Sequence, residues 1–255
     1  MAWNTWGVRL WLACIVCCIP TYSASAQQCI LEAYKLTAFD GNAFDTYGYS
    51  IAISDDTVVV GAFLDDEFGQ NSGSAYLYNA ITGEISHQLL PDPHSTNDNF
   101  GYSVSIDGPV TVIGSPTDDE HGTDAGSVYI FQSSTGELIA KIFSGQAGAL
   151  EHFGLSVGVS QNIAIVGAPW SMKNGVRSGA AYLYDIQAEK FTGHLLPEFG
   201  REDDQFGRSV AISGSVAVVG ATNTNIYGSF SGAAYLFDTE TGEQTARRCL
   251  TAPKL

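Results

Sequence analysis

The stretch Phe153–Pro169 reads FGLSVGVSQNIAIVGAP. Residues 154–158 within it have the form G-x-S-x-G, which in a hydrolase presents a nucleophilic serine on a tight strand-to-helix turn. Here loop precedes the serine, and a strand rather than a helix follows it. The stretch also returns at a step of 53 residues, as YGYSIAISDDTVVVGAF from Tyr47, FGYSVSIDGPVTVIGSP from Phe100 and FGRSVAISGSVAVVGAT from Phe206. Serine stands at the matching positions Ser50, Ser103 and Ser209, but the closing glycine of the hydrolase pattern occurs only in the third copy. Ser156 therefore reads as part of a repeat and not as a nucleophile.

Working outward, three anchors keep the same step. An aromatic-glycine pair stands at Tyr47-Gly48, Phe100-Gly101, Phe153-Gly154 and Phe206-Gly207, and a second glycine at Gly61, Gly114, Gly167 and Gly220. A third begins GSAYLY, GSVYIF, GAAYLY and GAAYLF at Gly73, Gly126, Gly179 and Gly232. Each copy reads as four short strands, in the first YSIAIS, TVVVGAF, SAYLYN and EISHQLL. The first and third alternate as half-buried strands do, and the second is apolar throughout, as expected for a strand covered on both faces. Hairpin glycines fall in AITGE, SSTGE and TETGE, while the third copy has QAEK, so its turn is expected to differ. A four-stranded meander repeated this way suits the blades of an all-β, β-propeller fold. The repeats span approximately 44–96, 97–149, 150–202 and 203–250. The glycines would let backbones approach where blades converge, and the aromatic beside the first would fill the gap between sheets.

Residues 1–26 precede this frame. Arg9 is followed by an apolar run from Leu10 to Ile19 and by the small-residue site Ala24-Ser25-Ala26, the order of a secretory signal peptide cleaved near Ala26. The run is about half the ~20 residues that a bilayer-spanning helix needs, so no transmembrane segment is expected. The whole chain has 11 Lys plus Arg against 27 Asp plus Glu, a formal charge of −16. Such a surface repels phosphate backbones and excludes nucleic acid as a natural partner. Three of the five cysteines fall within the leader. The remaining two, Cys29 and Cys249, would form a disulfide in an oxidising compartment, worth roughly 5 kcal/mol on the chain-entropy model, or stay as two buried thiols.

Phe-Gly followed by Gly-Ala-Pro within one unit resembles the FG-GAP repeat, most completely between Phe153 and Pro169. The resemblance covers nearly all of residues 27–255 and implies a propeller like that of the integrin α head, an extracellular recognition or adhesion module. Two departures matter. The acidic D-x-D-x-D-G calcium loop of integrin-type repeats has no counterpart between Phe-Gly and Gly-Ala-Pro, where only a short turn such as SDD stands. Integrin propellers also have seven blades, whereas this chain has four copies. A further last-strand-like segment, ILEAYKL, precedes the first copy and could replace or double the final strand EQTARRC. Three arrangements stay open: a closed four-bladed ring, an open arc, and half of a dimeric ring completed by self-association. The turns also resemble those of quinone-type propellers, which rely on a docking tryptophan; Trp170 occupies no repeated position.

Two sets of oxygen-bearing residues are candidates for cation binding. Asp65, Asp66, Glu67 and Asn71 in LDDEFGQNSG match Asp118, Asp119, Glu120 and Asp124 in TDDEHGTDAG, and a mid-loop glycine permits the sharp turn that a calcium loop needs. The alternative is an exposed acidic loop that aids solubility; copies three and four lose the acids. The second set, DGNAFD at 40–45, NDN at 97–99 and EDDQ at 202–205, lies between blades and is equally explained by turn composition. The five histidines, at 87, 94, 121, 152 and 194, pair with no acid or nucleophile at a repeated position. The expectation is thus a secreted or cell-surface, non-catalytic module that recognises an extracellular protein or glycan through loops on one propeller face, with calcium as its one candidate cofactor. The rivals are a secreted hydrolase or lyase with a loop-face active site, and a structural segment of a surface assembly.

Overall fold

The computed structural model describes residues 34–145, 148–172, 175–226 and 228–246. Apart from Tyr34 they belong to one compact unit, Lys35–Leu255. Cys29 and Cys249, like residues 1–26, lie outside the described residues.

Every regular element described is a strand. The first blade comprises β1 (Ser50–Ser54), β2 (Thr57–Ala62), β3 (Ser74–Asn79) and β4 (Ile85–Leu89). The second comprises β5 (Ser103–Asp107), β6 (Val110–Ser115), β7 (Ser127–Gln132) and β8 (Leu138–Ile142). The third holds β9 (Ser156–Ser160), β10 (Ile163–Ala168), β11 (Ala180–Asp185) and β12 (Lys190–Leu195), and the fourth β13 (Phe206–Ser213), β14 (Val216–Ala221), β15 (Ala233–Asp238) and β16 (Gln244–Ala246). Each set forms one antiparallel sheet in sequence order, in the same register: Ser50 faces Gly61, and Ser103, Ser156 and Ser209 face Gly114, Gly167 and Gly220. A bulge recurs before the outer strand, after Leu77, Ile130, Leu183 and Leu236. The turn between β11 and β12 departs less than expected. Glu189 adopts the positive φ that Gly83, Gly136 and Gly242 adopt in the other blades, and Asp185 accepts the N–H of Ala188 to hold it.

The sheets stack in chain order: β1 packs on β5, β5 on β9 and β9 on β13. The described residues give no comparable packing of β13 on β1. Each junction buries the aromatic of the Phe-Gly pair and the tyrosine of β7, β11 or β15 against the aliphatic face of the preceding blade. Between blades 1 and 2, Phe100, Ile113, Tyr129 and Phe131 meet Val59, Ala75, Leu77 and Leu89. Between blades 3 and 4, Phe206, Val219, Tyr235 and Phe237 meet Ile165, Ala181, Leu183 and Leu195. At about 1.5–3 kcal/mol per large apolar side chain buried, these junctions are the main source of cohesion.

The repeated glycines mark the closest approach. A Cβ on Gly61, Gly114 or Gly167 would stand 2.1, 2.0 or 2.0 Å from the carbonyl oxygen of Gly101, Gly154 or Gly207 in the next blade. The same carbonyls accept the hydroxyls of Ser50, Ser103 and Ser156 at 2.7, 2.7 and 2.9 Å. Ser156 is thus a junction hydrogen-bond donor, which accounts for its recurrence.

Candidate recognition face

In blades 1, 2 and 3 two loops meet at one end of the sheet, and blade 4 presents the first of them. One follows the second strand (64–73, 117–126, 170–179, 223–232). The other leads into the next Phe-Gly pair (90–99, 143–152, 196–205). Backbone hydrogen bonds lace them together: Asn97 N–H to Gln70 O at 2.7 Å and Phe100 N–H to Ser72 O at 3.1 Å in blade 1, Leu150 N–H to Thr123 O at 2.7 Å and Phe153 N–H to Ala125 O at 2.9 Å in blade 2. In blade 3, Asp203 N–H reaches Arg177 O at 2.8 Å and Phe206 N–H reaches Ser178 O at 2.9 Å. Loops tied in this way lose little further entropy when a ligand seats on them.

The acids of the first candidate set build these loops. Asp65 is buried: one oxygen accepts the Glu67 N–H at 2.9 Å, the other the hydroxyls of Ser74 and Tyr76 at 2.5 and 3.0 Å. Asp118 repeats this with Glu120 N–H, Ser127 and Tyr129 at 2.9, 2.6 and 3.3 Å. Asp66 and Asp119 accept the N–H groups of Asn71 and Asp124 at 2.6 and 2.7 Å, and in the fourth blade Asn225 accepts that of Phe230 at 2.6 Å. Asn71 and Asp124 both have positive φ, a conformation that short polar side chains tolerate best. Among the described residues, no three His, Cys, Asp or Glu converge as a metal ion would require.

A cation of the chain itself occupies the acidic loop of blade 2. The Lys141 ammonium lies 2.8 Å from Asp118 and 2.6 Å from Glu120, and 4.9 Å from the centroid of the Tyr129 ring. Burial alone would push Asp118 up; Lys141, the Ser127 hydroxyl and the Glu120 N–H outweigh it and hold the carboxyl below its usual range. In blade 1, Gln88 stands at the equivalent position and donates to Asp40 at 2.8 Å and to Glu67 at 3.4 Å. Neither contact was signalled by the loop sequence, because both donors come from the outer strand.

The second candidate set hides a regularity. Asp45, Asp98, Glu151 and Asp204 stand 53 apart, each two residues before the aromatic of the Phe-Gly pair, and all four are buried. Burial raises Asp45 and Glu151 above the usual carboxyl range; burial, then the charge of Asp118, pushes Asp98 up to about 7. Asp204 accepts the Arg201 N–H at 2.9 Å, and Asp45 accepts that of Asn42. Asp45 and Asp204 thereby brace the loops entering blades 1 and 4.

The rim carries rings. Tyr49, Phe63 and Tyr102 cluster with centroids 4.6–5.1 Å apart, and the Tyr49 and Tyr102 hydroxyls are 3.1 Å apart. His94 stacks on Phe68 and His194 on Tyr182, while His121 and His152 meet Phe143 and Trp170 at a tilt, so four of the five histidines serve aromatic contacts. Phe68, Met172 and Phe230 extend from the loops after the second strands and are exposed. At the opposite end of the sheets a cleft of about 470 Å³ lies between blades 3 and 4, lined by Asp185 and Glu240 among others. Asp185 there holds its own turn.

Repeated four-stranded sheets stacked through Phe-Gly and Gly-Ala-Pro elements define a protein of the β-propeller class. The family model described as the FG-GAP repeat matches residues 31–78, 86–131, 137–184 and 190–237, and the chain belongs to this family. Among solved structures, the chain is similar to the crystal structure of the computationally designed Ika4 protein. Identity is 16% and the TM-score 0.50, over 81% of this chain and 99% of that one. The likeness is one of fold. No curated protein matches the sequence. No helix among the described residues is long and apolar enough to cross a membrane.

Proposed function

We propose that the protein is a secreted or cell-surface, non-catalytic recognition module that binds an extracellular protein or glycan through the laced loop face. The observation that carries this reading is the contrast between frame and tips. The backbone of these loops repeats from blade to blade, whereas the exposed residues do not: Phe68 in blade 1, Met172 in blade 3 and Phe230 in blade 4 occupy loops of unrelated composition. Repeated scaffolding with divergent aromatic and apolar tips is how binding surfaces are built on rigid elements. The surrounding carboxylates give the face an acidic field suited to a basic protein surface or to sugar hydroxyls. Asp65, Asp66, Asp118 and Asp119 are engaged in hydrogen bonds to their own loops and adjoining strands, as parts of the frame. Screening the purified protein against extracellular protein and glycan arrays tests the proposal. Saturable binding that falls at least tenfold on Phe68→Ala with Phe230→Ala supports it. A null across both arrays, or turnover of a glycan, overturns it.

A further inference from the structure

The three internal junctions use one set of contacts, and each end of the series presents half of that set unfilled. On blade 4, Ser209 Oγ, the counterpart of Ser50, Ser103 and Ser156, has no acceptor among the described residues, and a Cβ on Gly220 would meet only Ser209 of its own blade. On blade 1, a Cβ on Gly48 would meet nothing within 4 Å, whereas on Gly101, Gly154 and Gly207 it would stand 2.4, 2.5 and 2.2 Å from a carbonyl of the preceding blade. A second hydrogen bond repeats this break. Ser54, Asp107 and Ser160 accept the N–H groups of Gly108, Gln161 and Gly214 in the next blade; their counterpart Ser213 has no such partner among the described residues.

Burial follows the same logic. Ile106 and Val159 are 7% exposed, because the preceding blade covers them, but their counterpart Ile53 is 64% exposed and its neighbour Ile51 is 70% exposed. On blade 4, β14 alternates between buried and accessible positions, while its counterpart β6 is buried throughout. Val216 and Val218 stand where Ile163 and Ile165 receive Ile212 of the next blade. The outer edge is prepared as well. Leu36 and Ala38 pack on Tyr76 and Tyr78 of blade 1 as Leu89 packs on Tyr129 and Phe131 of blade 2. Leu36 lies one repeat step before Leu89 and so holds the outer-edge position of the blade that would precede blade 1.

We infer that a second copy of this chain seats its blade 1 on blade 4, head to tail, reproducing the internal junction. Ile51 and Ile53 of one copy then cover Val216, Val218 and Ala211 of the other. Ser209 donates to the Gly48 carbonyl, Ser213 accepts the Asp55 N–H, and Arg208 meets the Tyr49 ring. Leu36 and Ala38 of the incoming copy bring with them the outer-edge contact to Tyr76 and Tyr78. Such a contact joins two different surfaces, so it closes a ring where the rotation allows and otherwise extends.

Light scattering on the protein produced from the complete sequence tests this, with Ile53→Asp to block the front face and Ala211→Asp to block the back. The wild type is expected at a mass of two or more chains and each variant at one. An equimolar mixture of the two variants should regain a two-chain species, because each keeps the face that the other lost. A monomeric wild type overturns the inference and means that residues of the same chain cover both faces. So does a mixture that stays monomeric, which points to a like-with-like interface. Ile51→Lys and Val216→Lys, at exposed positions on the same two faces, must give the same pattern; thermal melts establish that all four variants are folded.

Discussion

Ser103 of β5 donates its hydroxyl to the carbonyl of Gly154, in the next blade, at 2.7 Å. Gly114 faces the same oxygen so closely that no side chain fits between the blades. A serine, a glycine and a carbonyl, each repeated at 53-residue intervals, thus fix the spacing of the stack.

Gly114→Ala should therefore destabilise the protein by about 3 kcal/mol or more, since the clash is with backbone and the blades must part. Gly220→Ala meets only the Ser209 hydroxyl, which can rotate, and should cost under about 1 kcal/mol in the monomer. Urea unfolding of both variants checks the contrast. Equal losses would mean that the junction glycines matter for their conformation and not for the approach of the next blade.

Lys141→Met leaves Asp118 charged and buried without its cation, and should cost about 3–5 kcal/mol. Adding Asp118→Asn should recover most of that loss. The sign of the pH dependence follows from the depressed Asp118 carboxyl: its contribution is complete above the ordinary carboxylate range and is lost as pH falls below it. Guanidinium melts of the single and double variants across acidic pH measure both effects.

Asp98 has the opposite sign. Its carboxyl is raised to about 7, so its favourable contribution is present below the unfolded value near 3.8 and disappears as pH climbs through 7. Asp98→Asn should match the wild type in acid and melt several degrees higher at about pH 8, because each tenfold gain in proton affinity on folding is worth ~1.4 kcal/mol that the ionised wild type forfeits there. A variant that melts lower at every pH would show that the carboxylate, and not the neutral acid, holds the loop.

Asp65→Ala and Asp118→Ala should each lower the melting temperature by several degrees, and by the same amount with calcium as with chelator, because the lost hydrogen bonds tie each loop to its own strands. A calcium-induced rise in the wild type that both variants abolish would assign the acids to a metal ion instead.

The blades were legible because their signals are local and fourfold. Phe153-Gly154, Gly167 and Gly179 each mark a tight backbone position, and the apolar run Ile163–Val166 between them must be covered on both sides. The role of Ser156 was legible for the same reason, since three counterparts share it. The roles of the acids were less so. Asp65 and Asp118 look like ligands in a linear loop, yet their partners Ser74, Tyr76, Ser127 and Tyr129 arrive from the following strand. Lys141 arrives from the outermost strand. The buried row of Asp45, Asp98, Glu151 and Asp204 was masked by the change to glutamate in the third copy and by turn-like neighbours. The unfilled ends cannot be read from the repeat at all, because Ile51 and Ser209 match in type the residues that fill the internal junctions.

The most direct measurement is calorimetric titration of the first array-positive ligand into the wild type and into a Phe68→Ala, Met172→Ala, Phe230→Ala variant. The three side chains lie on exposed tips of the loop frame, so the variant should melt as the wild type does. Loss of binding with an unchanged melt is the result we expect. Undiminished affinity in the variant would contradict recognition through this face.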